Sequence, residues 1–196
     1  TNGEIALWKN GTLYTTSTAA GPAFEGAKIS CGMRGAGGAV DHVWLEGEQV
    51  HYHVIGETEP EGLCGSGLLD LVAVLLDQEI ISESGRLENK AFTLCENVTL
   101  TQKDVREVQL AKAAIRAGIE LLAEKLGVQV ADIRRVYLAG AFGTYLNPDA
   151  ACRIGLLPDA LRGKITAAGN LALEGAKLLA LDQRQLALTR ELTERV

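Results

Sequence analysis

Apolar and polar residues alternate at positions 5–7 and 13–15, on either side of Asn10-Gly11. Two short strands joined by residues that tolerate left-handed backbone predict a type I′ hairpin. Residues 17–38 are rich in Gly, Ala and Ser, too broken for a strand or a long helix, so an irregular loop is expected. A second hairpin follows. With Gly47-Glu48 at its turn, Leu45 opposes Val50 and Val43 opposes Tyr52 on an apolar face. The same register sets His42 opposite His53 and Trp44 opposite His51 on the other face. Residues 62–67 form another glycine-rich turn, and 68–81 read as a helix opening from it. A strand near 92–100 precedes Thr101-Gln102-Lys103-Asp104, a capping box with Asp in place of the usual Glu or Gln. The helix it starts carries Val105, Val108, Ile115, Ile119, Leu122 and Leu126 at helical spacing and stops at Gly127. Beyond it, 132–138 and 164–168 are expected as strands. Pro148 stands near the start of a short helix, and the chain is expected to be helical from Leu171 to its end. Strand–helix alternation in this second half predicts a parallel sheet with crossover helices, within one α/β domain.

Composition narrows the class. The 196 residues suffice for one well-packed domain, and a hydrophobic content of 47% is ordinary. No run approaches the roughly 18 apolar residues of a membrane span. No basic stretch followed by an apolar core marks a signal peptide, so a cytoplasmic protein without membrane partners is expected. The chain opens on Thr1 rather than Met and is expected to be an excerpt of a longer one. A net charge of −6 argues against a nucleic-acid partner. Cys31, Cys64, Cys95 and Cys152 form no C-x-x-C pair, give no zinc or iron–sulfur signature, and are expected as reduced thiols.

Several segments are candidates for chemistry. In Thr1-Asn2-Gly3 a hydroxyl and an amide stand beside a glycine that lets a phosphate approach backbone N–H groups; a plain turn is the competing reading. Gly140-Ala141-Phe142-Gly143 follows an apolar strand at the carboxyl end, where open parallel sheets bind ligands. Its small residues would let a purine or ribose rest on the backbone, or would serve tight strand–helix packing. The turn containing Gly65 and Ser66 could hold an anion, or be a helix start capped by Ser66. The loop with Ser17 and Gly21 could line a cleft or meet a partner. Gln109, Lys112 and Arg116 share one helix edge, as nucleotide contacts or as snorkelling surface side chains. The three histidines lie on one face of the second hairpin. They could meet a Zn²⁺ ion, but no fourth ligand is placed beside them, and exposed cross-strand pairing is the expectation.

Taken in order, several motifs resemble a known family over nearly the whole chain. They are Thr1-Asn2-Gly3-Glu4-Ile5, Ser17-Thr18-Ala19-Ala20-Gly21-Pro22-Ala23-Phe24-Glu25-Gly26-Ala27 and Cys64-Gly65-Ser66-Gly67-Leu68. Thr101-Gln102-Lys103-Asp104, Gln109-Leu110-Ala111-Lys112-Ala113-Ala114-Ile115-Arg116-Ala117-Gly118-Ile119, Leu138-Ala139-Gly140-Ala141-Phe142-Gly143 and Gly169-Asn170 complete the set. The chain resembles the C-terminal ATPase region of the reductive activators of corrinoid proteins. The resemblance implies the second half of an actin-like ATPase fold (ribonuclease H-like), with hairpins first and crossover helices later. It implies ATP with Mg in a cleft between two halves, and a [2Fe–2S] ferredoxin-like domain elsewhere in the parent that supplies the electron returning Co(II) to Co(I). Thr1-Asn2-Gly3 would match the second phosphate loop, and residues 140–143 the adenosine motif. The implied partners are a corrinoid protein or corrinoid-dependent methyltransferase and the electron-donor domain, with a homodimer left open. The Asp-x-Gly expected before Thr1, the first phosphate loop and the cluster cysteines are not among these residues. The excerpt alone is therefore expected to bind nucleotide weakly and not to turn over. A non-catalytic docking module of the same fold and half of a small-molecule kinase are the alternatives.

Overall fold

The structure is a computed structural model that describes residues 3–182 and 184–193. Strands β1 (Gly3–Lys9) and β2 (Thr12–Thr18) pair antiparallel, with Asn10 and Gly11 both at positive φ, as a type I′ turn requires. The irregular loop expected over 17–38 begins only after Thr18, because Ser17 and Thr18 pair with Glu4 and Gly3 in the hairpin. It holds a single 3₁₀ turn at Ala23–Glu25 and leads to the second hairpin, β3 (Ala39–Glu46) and β4 (Gln49–Val54). Its register is the expected one: Val43 faces Tyr52, Leu45 faces Val50, His42 faces His53 and Trp44 faces His51. The short strand β5 (Gly62–Leu63) adds parallel to the other edge of β3.

Helix α1 (Gly65–Asp77) opens directly from β5, and eleven of its thirteen residues are buried. It packs on β3, and Leu68, Leu69, Leu71 and Leu75 form the centre of the core. A helix that is apolar on every side belongs inside, which is why its sequence shows no polar stripe. It starts three residues before Leu68 and ends four before Ile81. Glu79 turns the chain with a positive φ.

The expected strand near 92–100 is instead a hairpin, β6 (Ala91–Cys95) and β7 (Val98–Thr101), because Glu96-Asn97 turns between two four- or five-residue runs. Helix α2 (Gln102–Lys125) then spans about 36 Å at the standard rise. Its capping box forms as expected: the Thr101 hydroxyl accepts from the Asp104 amide, and the Asp104 carboxylate accepts from the Thr101 amide at 2.8 Å.

Strand β8 (Val136–Ala139) is shorter than the expected 132–138, because Val130–Asp132 curls into a 3₁₀ turn. It runs into α3 (Gly140–Tyr145) and then α4 (Pro148–Arg153), whose first turn is capped by Asn147. Strand β9 (Ile165–Gly169) pairs parallel with β8, which is the parallel pairing expected of the second half. The last helical stretch is two helices rather than one. α5 (Leu171–Leu181) ends at Asp182, whose backbone is extended and whose carboxylate caps Arg184, and α6 is Arg184–Thr193. No described helix is long and apolar enough to cross a membrane.

Candidate functional site

Three of the glycine-bearing segments singled out in the sequence meet at one point. Phe24, from the 3₁₀ turn of the 17–38 loop, stacks on Phe142 of α3 with centroids 5.1 Å apart and planes 11° from parallel. Gly65 lies under this pair: a Cβ there would overlap the Phe24 carbonyl oxygen and stand 3.0 Å from the Phe142 ring. The chain must therefore be smallest where loop, α1 and α3 converge.

The glycines divide by role. Gly140 has φ +89 and nothing within 4 Å of where its Cβ would be, so backbone conformation alone calls for glycine and the space beside it is open. Ala141 is exposed next to it. Gly143 is a packing glycine, with the Leu138 backbone and side chain 3.0 Å from a Cβ position. Gly67 likewise makes room for the Val40 carbonyl. Ser66 is buried beside Cys64, 3.3 Å from its sulfur. Cys64 is the N-cap residue, with no side-chain cap, so Ser66 does not fill the capping role weighed from the sequence.

At the other end of the chain, Thr1 and Asn2 lie outside the described residues. Gly3 pairs with Thr18, whose hydroxyl donates to the Gly3 carbonyl at 3.0 Å. A Cβ on Gly3 would press on Thr18 and Ile115, and one on Gly118 would press on Thr18 and Ile5. Glycines on both partners let the first hairpin lie flat on α2. Ser17 donates to Glu4 at 2.9 Å, and Gly21, at φ +73, has open space around it. The Gly3 end of β1 and the loop leading to Phe24 thus start from the same strand pair.

Along α2, Gln109 donates to the Ser84 carbonyl at 3.1 Å, and Arg116 pairs with Glu120. Lys112 reaches the Ile154 carbonyl at the end of α4; burial, with help from Arg116, holds its ammonium below the usual lysine range, against the pull of Glu83. A cleft of about 650 Å³ is lined by Ser84, Gly85, Arg86, Gln102, Arg106, Gln109 and Leu110. It contains Gln109 but neither Lys112 nor any residue of the 140–143 bend.

Sequence reasoning read Asp104 only as a cap and missed Asp70; both carboxylates are buried. Asp104 is fully buried: beyond the capping box it accepts from the Ser30 amide at 2.8 Å and the Ser30 hydroxyl at 3.1 Å. It therefore ties the 17–38 loop to the start of α2. Asp70, in the buried face of α1, accepts from the Val43 amide at 3.3 Å and meets His42 Nδ1 at 3.2 Å, while its other oxygen has no hydrogen-bond partner of normal geometry. Burial pushes its carboxyl above the usual carboxylate range, with His42, Val43 and the Asn147 amide pulling the other way. An acid inside the run Leu68–Leu76 was the visible signal.

Helix α2 under the β1–β2 hairpin, the parallel β8–β9 pair and the glycine bend after β8 are the elements of an actin-like ATPase fold. A family model described as the C-terminal domain of RACo, the ASKHA domain, matches residues 1–196, and the chain belongs to that family. It is 39% identical to the corrinoid activation enzyme RamQ of Eubacterium limosum, over 96% of this chain and 36% of that protein. It is 31% identical to the [Co(II) methylated amine-specific corrinoid protein] reductase of Methanosarcina barkeri, over the whole chain and 40% of the relative. A solved structure titled reductive activator for corrinoid, iron-sulfur protein superposes with a TM-score of 0.89 at 35% identity, covering 99% of this chain and 35% of the other. The chain thus spans between about a third and two-fifths of the length of these proteins.

Proposed function

We propose that this chain is the nucleotide-binding half of an ATP-dependent activator that returns the cobalt of a corrinoid protein to Co(I). The observation that carries the proposal is the meeting of the 17–38 loop, the Cys64-Gly67 turn and the 140–143 bend at the Phe24–Phe142 stack, beside the open backbone of Gly140. Backbone free of side chains, at the carboxyl end of a parallel strand, is where a purine nucleotide is accommodated. In this reading Gly140, Ala141, Phe142 and Gly143 carry the adenosine. Thr1, Asn2 and Gly3 meet the phosphates, and Lys112 and Arg116 stand at the edge of α2.

Mg²⁺ would accompany ATP on carboxylates supplied from outside these residues. A [2Fe–2S] cluster on an electron-donor domain of the parent protein would supply the electron. Bound ATP supplies the free energy that biases the assembly toward one redox or ligation state, and it can do so only by binding two states unequally. Closure of this half on its counterpart is the two-state element. The partners are then a corrinoid protein or corrinoid-dependent methyltransferase and an electron-donor domain.

The test is calorimetric titration of the complete protein with a non-hydrolysable ATP analogue. We expect saturable binding that Ala141→Trp, a bulky side chain at an exposed position beside Gly140, weakens at least tenfold, with the thermal midpoint within a few degrees of wild type. Equal affinity in the two proteins would remove the 140–143 bend from the site. The docking-module alternative predicts corrinoid-protein binding of the same strength with and without the analogue.

A further inference from the structure

The second hairpin carries two imidazoles built alike, and the proposed nucleotide site uses neither. His42 and His53 are directly opposed across β3 and β4, so their side chains leave the same face, with Cβ atoms about 5 Å apart. Each ring has its Nδ1 committed to a carboxylate: His42 to Asp70 at 3.2 Å and His53 to Asp41 at 2.6 Å. The β-bulge between Val40 and His42 makes the second pairing available, since it drops Asp41 from the strand register. Both carboxylates are largely buried, at 3% and 14% side-chain exposure, while the two rings are about half exposed, at 45% and 53%.

With both carboxylates ionised and both rings neutral, each Nδ1 donates to its carboxylate and each Nε2 keeps its lone pair. An imidazole oriented by a carboxylate on its far nitrogen is the usual arrangement of a metal-ligating histidine. His51, on the same face, is used differently. It stacks on Trp44 with centroids 5.9 Å apart, and its Nε2 lies 3.7 Å from Glu46 at the hairpin tip.

We propose that His42 and His53 form a two-imidazole site for a borderline divalent transition-metal ion, ligated through the two Nε2 atoms. Imidazole nitrogens suit zinc, copper and nickel rather than magnesium or calcium. No third His, Cys, Asp or Glu joins them among the described residues, so a tetrahedral ion keeps two positions for water or an added donor. A cation on His42 also brings positive charge toward the unpartnered oxygen of Asp70. The site stands independently of nucleotide binding.

The experiment titrates the complete protein with Zn²⁺ in metal-free buffer, followed by calorimetry and by ¹⁵N resonances of the histidine rings. Saturable binding should weaken at least tenfold in His42→Gln and in His53→Gln, and roughly tenfold in Asp41→Asn, the usual effect of removing an orienting carboxylate. His51→Gln should stay within twofold of wild type. Zinc should shift the Nε2 resonances of His42 and His53 while Nδ1 remains protonated. His53 and His51 face solvent, so their variants keep the fold, which thermal melting without metal checks. Zinc affinity unchanged in His53→Gln, or an equal loss in His51→Gln, would overturn the proposal.

Discussion

A carboxylate placed inside an apolar helix has to be accounted for by its neighbours, and Asp70 is only half accounted for. One oxygen has the Val43 amide and His42; the other has no hydrogen-bond partner. Burial dominates and raises the folded-state pKa, so the folded chain binds this proton more tightly than the unfolded chain. The carboxyl therefore favours the fold most below the unfolded value of about 3.9, and the contribution is lost as pH rises through the folded value. Asp70→Asn removes the titration. Urea unfolding should show wild type losing stability relative to the variant between pH 4 and pH 7. Wild type gaining on the variant over that range would mean that the two accepted hydrogen bonds outweigh desolvation. Gly140 and Gly65 teach a related lesson at the same scale. The sequence shows both as small residues in turns, but only coordinates separate the one set by positive φ and open space from the one set by the Phe24 carbonyl.

At the level of elements, local periodicity carried most of the assignment. The I′ turn, the register of the β3–β4 hairpin, the capping box of α2 and the parallel β8–β9 pairing were all legible, because each depends on residues close in sequence or on a period of two or 3.6. The misses have a common cause. The β6–β7 turn, the 3₁₀ turn before β8 and the break at Asp182 interrupt runs that periodicity alone reads as continuous. What the capping box could not reveal is its second use, since Ser30 lies 74 residues from Asp104 in the chain. One oxygen of Asp104 serves Thr101 and the other Ser30. Thr101→Ala should cost about 1 kcal/mol, as a lost cap does. Asp104→Ala should cost about 3 kcal/mol, because it also leaves buried donors of the loop unpaired. Denaturant midpoints of the two variants check this. Equal costs would mean that the Ser30 contacts contribute nothing to stability.

Across the whole molecule, the candidate site depends on contacts that no window of sequence contains. Phe24, Gly65 and Phe142 are separated by 41 and 77 positions, yet each limits the space of the other two. The motifs were readable one at a time; their convergence was not, because long-range packing leaves no periodic trace. If the stack is what joins the 17–38 loop to the 140–143 bend, its loss should be felt at both. Phe142→Ala removes a half-buried ring and should lower stability by about 2 kcal/mol. A ring that merely filled space in α3 would loosen α3 alone. The structure predicts more: amide exchange should accelerate in residues 23–26 and 65–68 as well as in 140–145, while the β3–β4 hairpin, held by α1 through β3, keeps its protection. Phe24→Ala should reproduce the pattern from the other side, and the double variant should cost less than the sum of the two singles, since both delete the same contact. Strict additivity, with exchange changes confined to α3, would show that the loop and the bend are held independently. They would then not form one wall for a ligand.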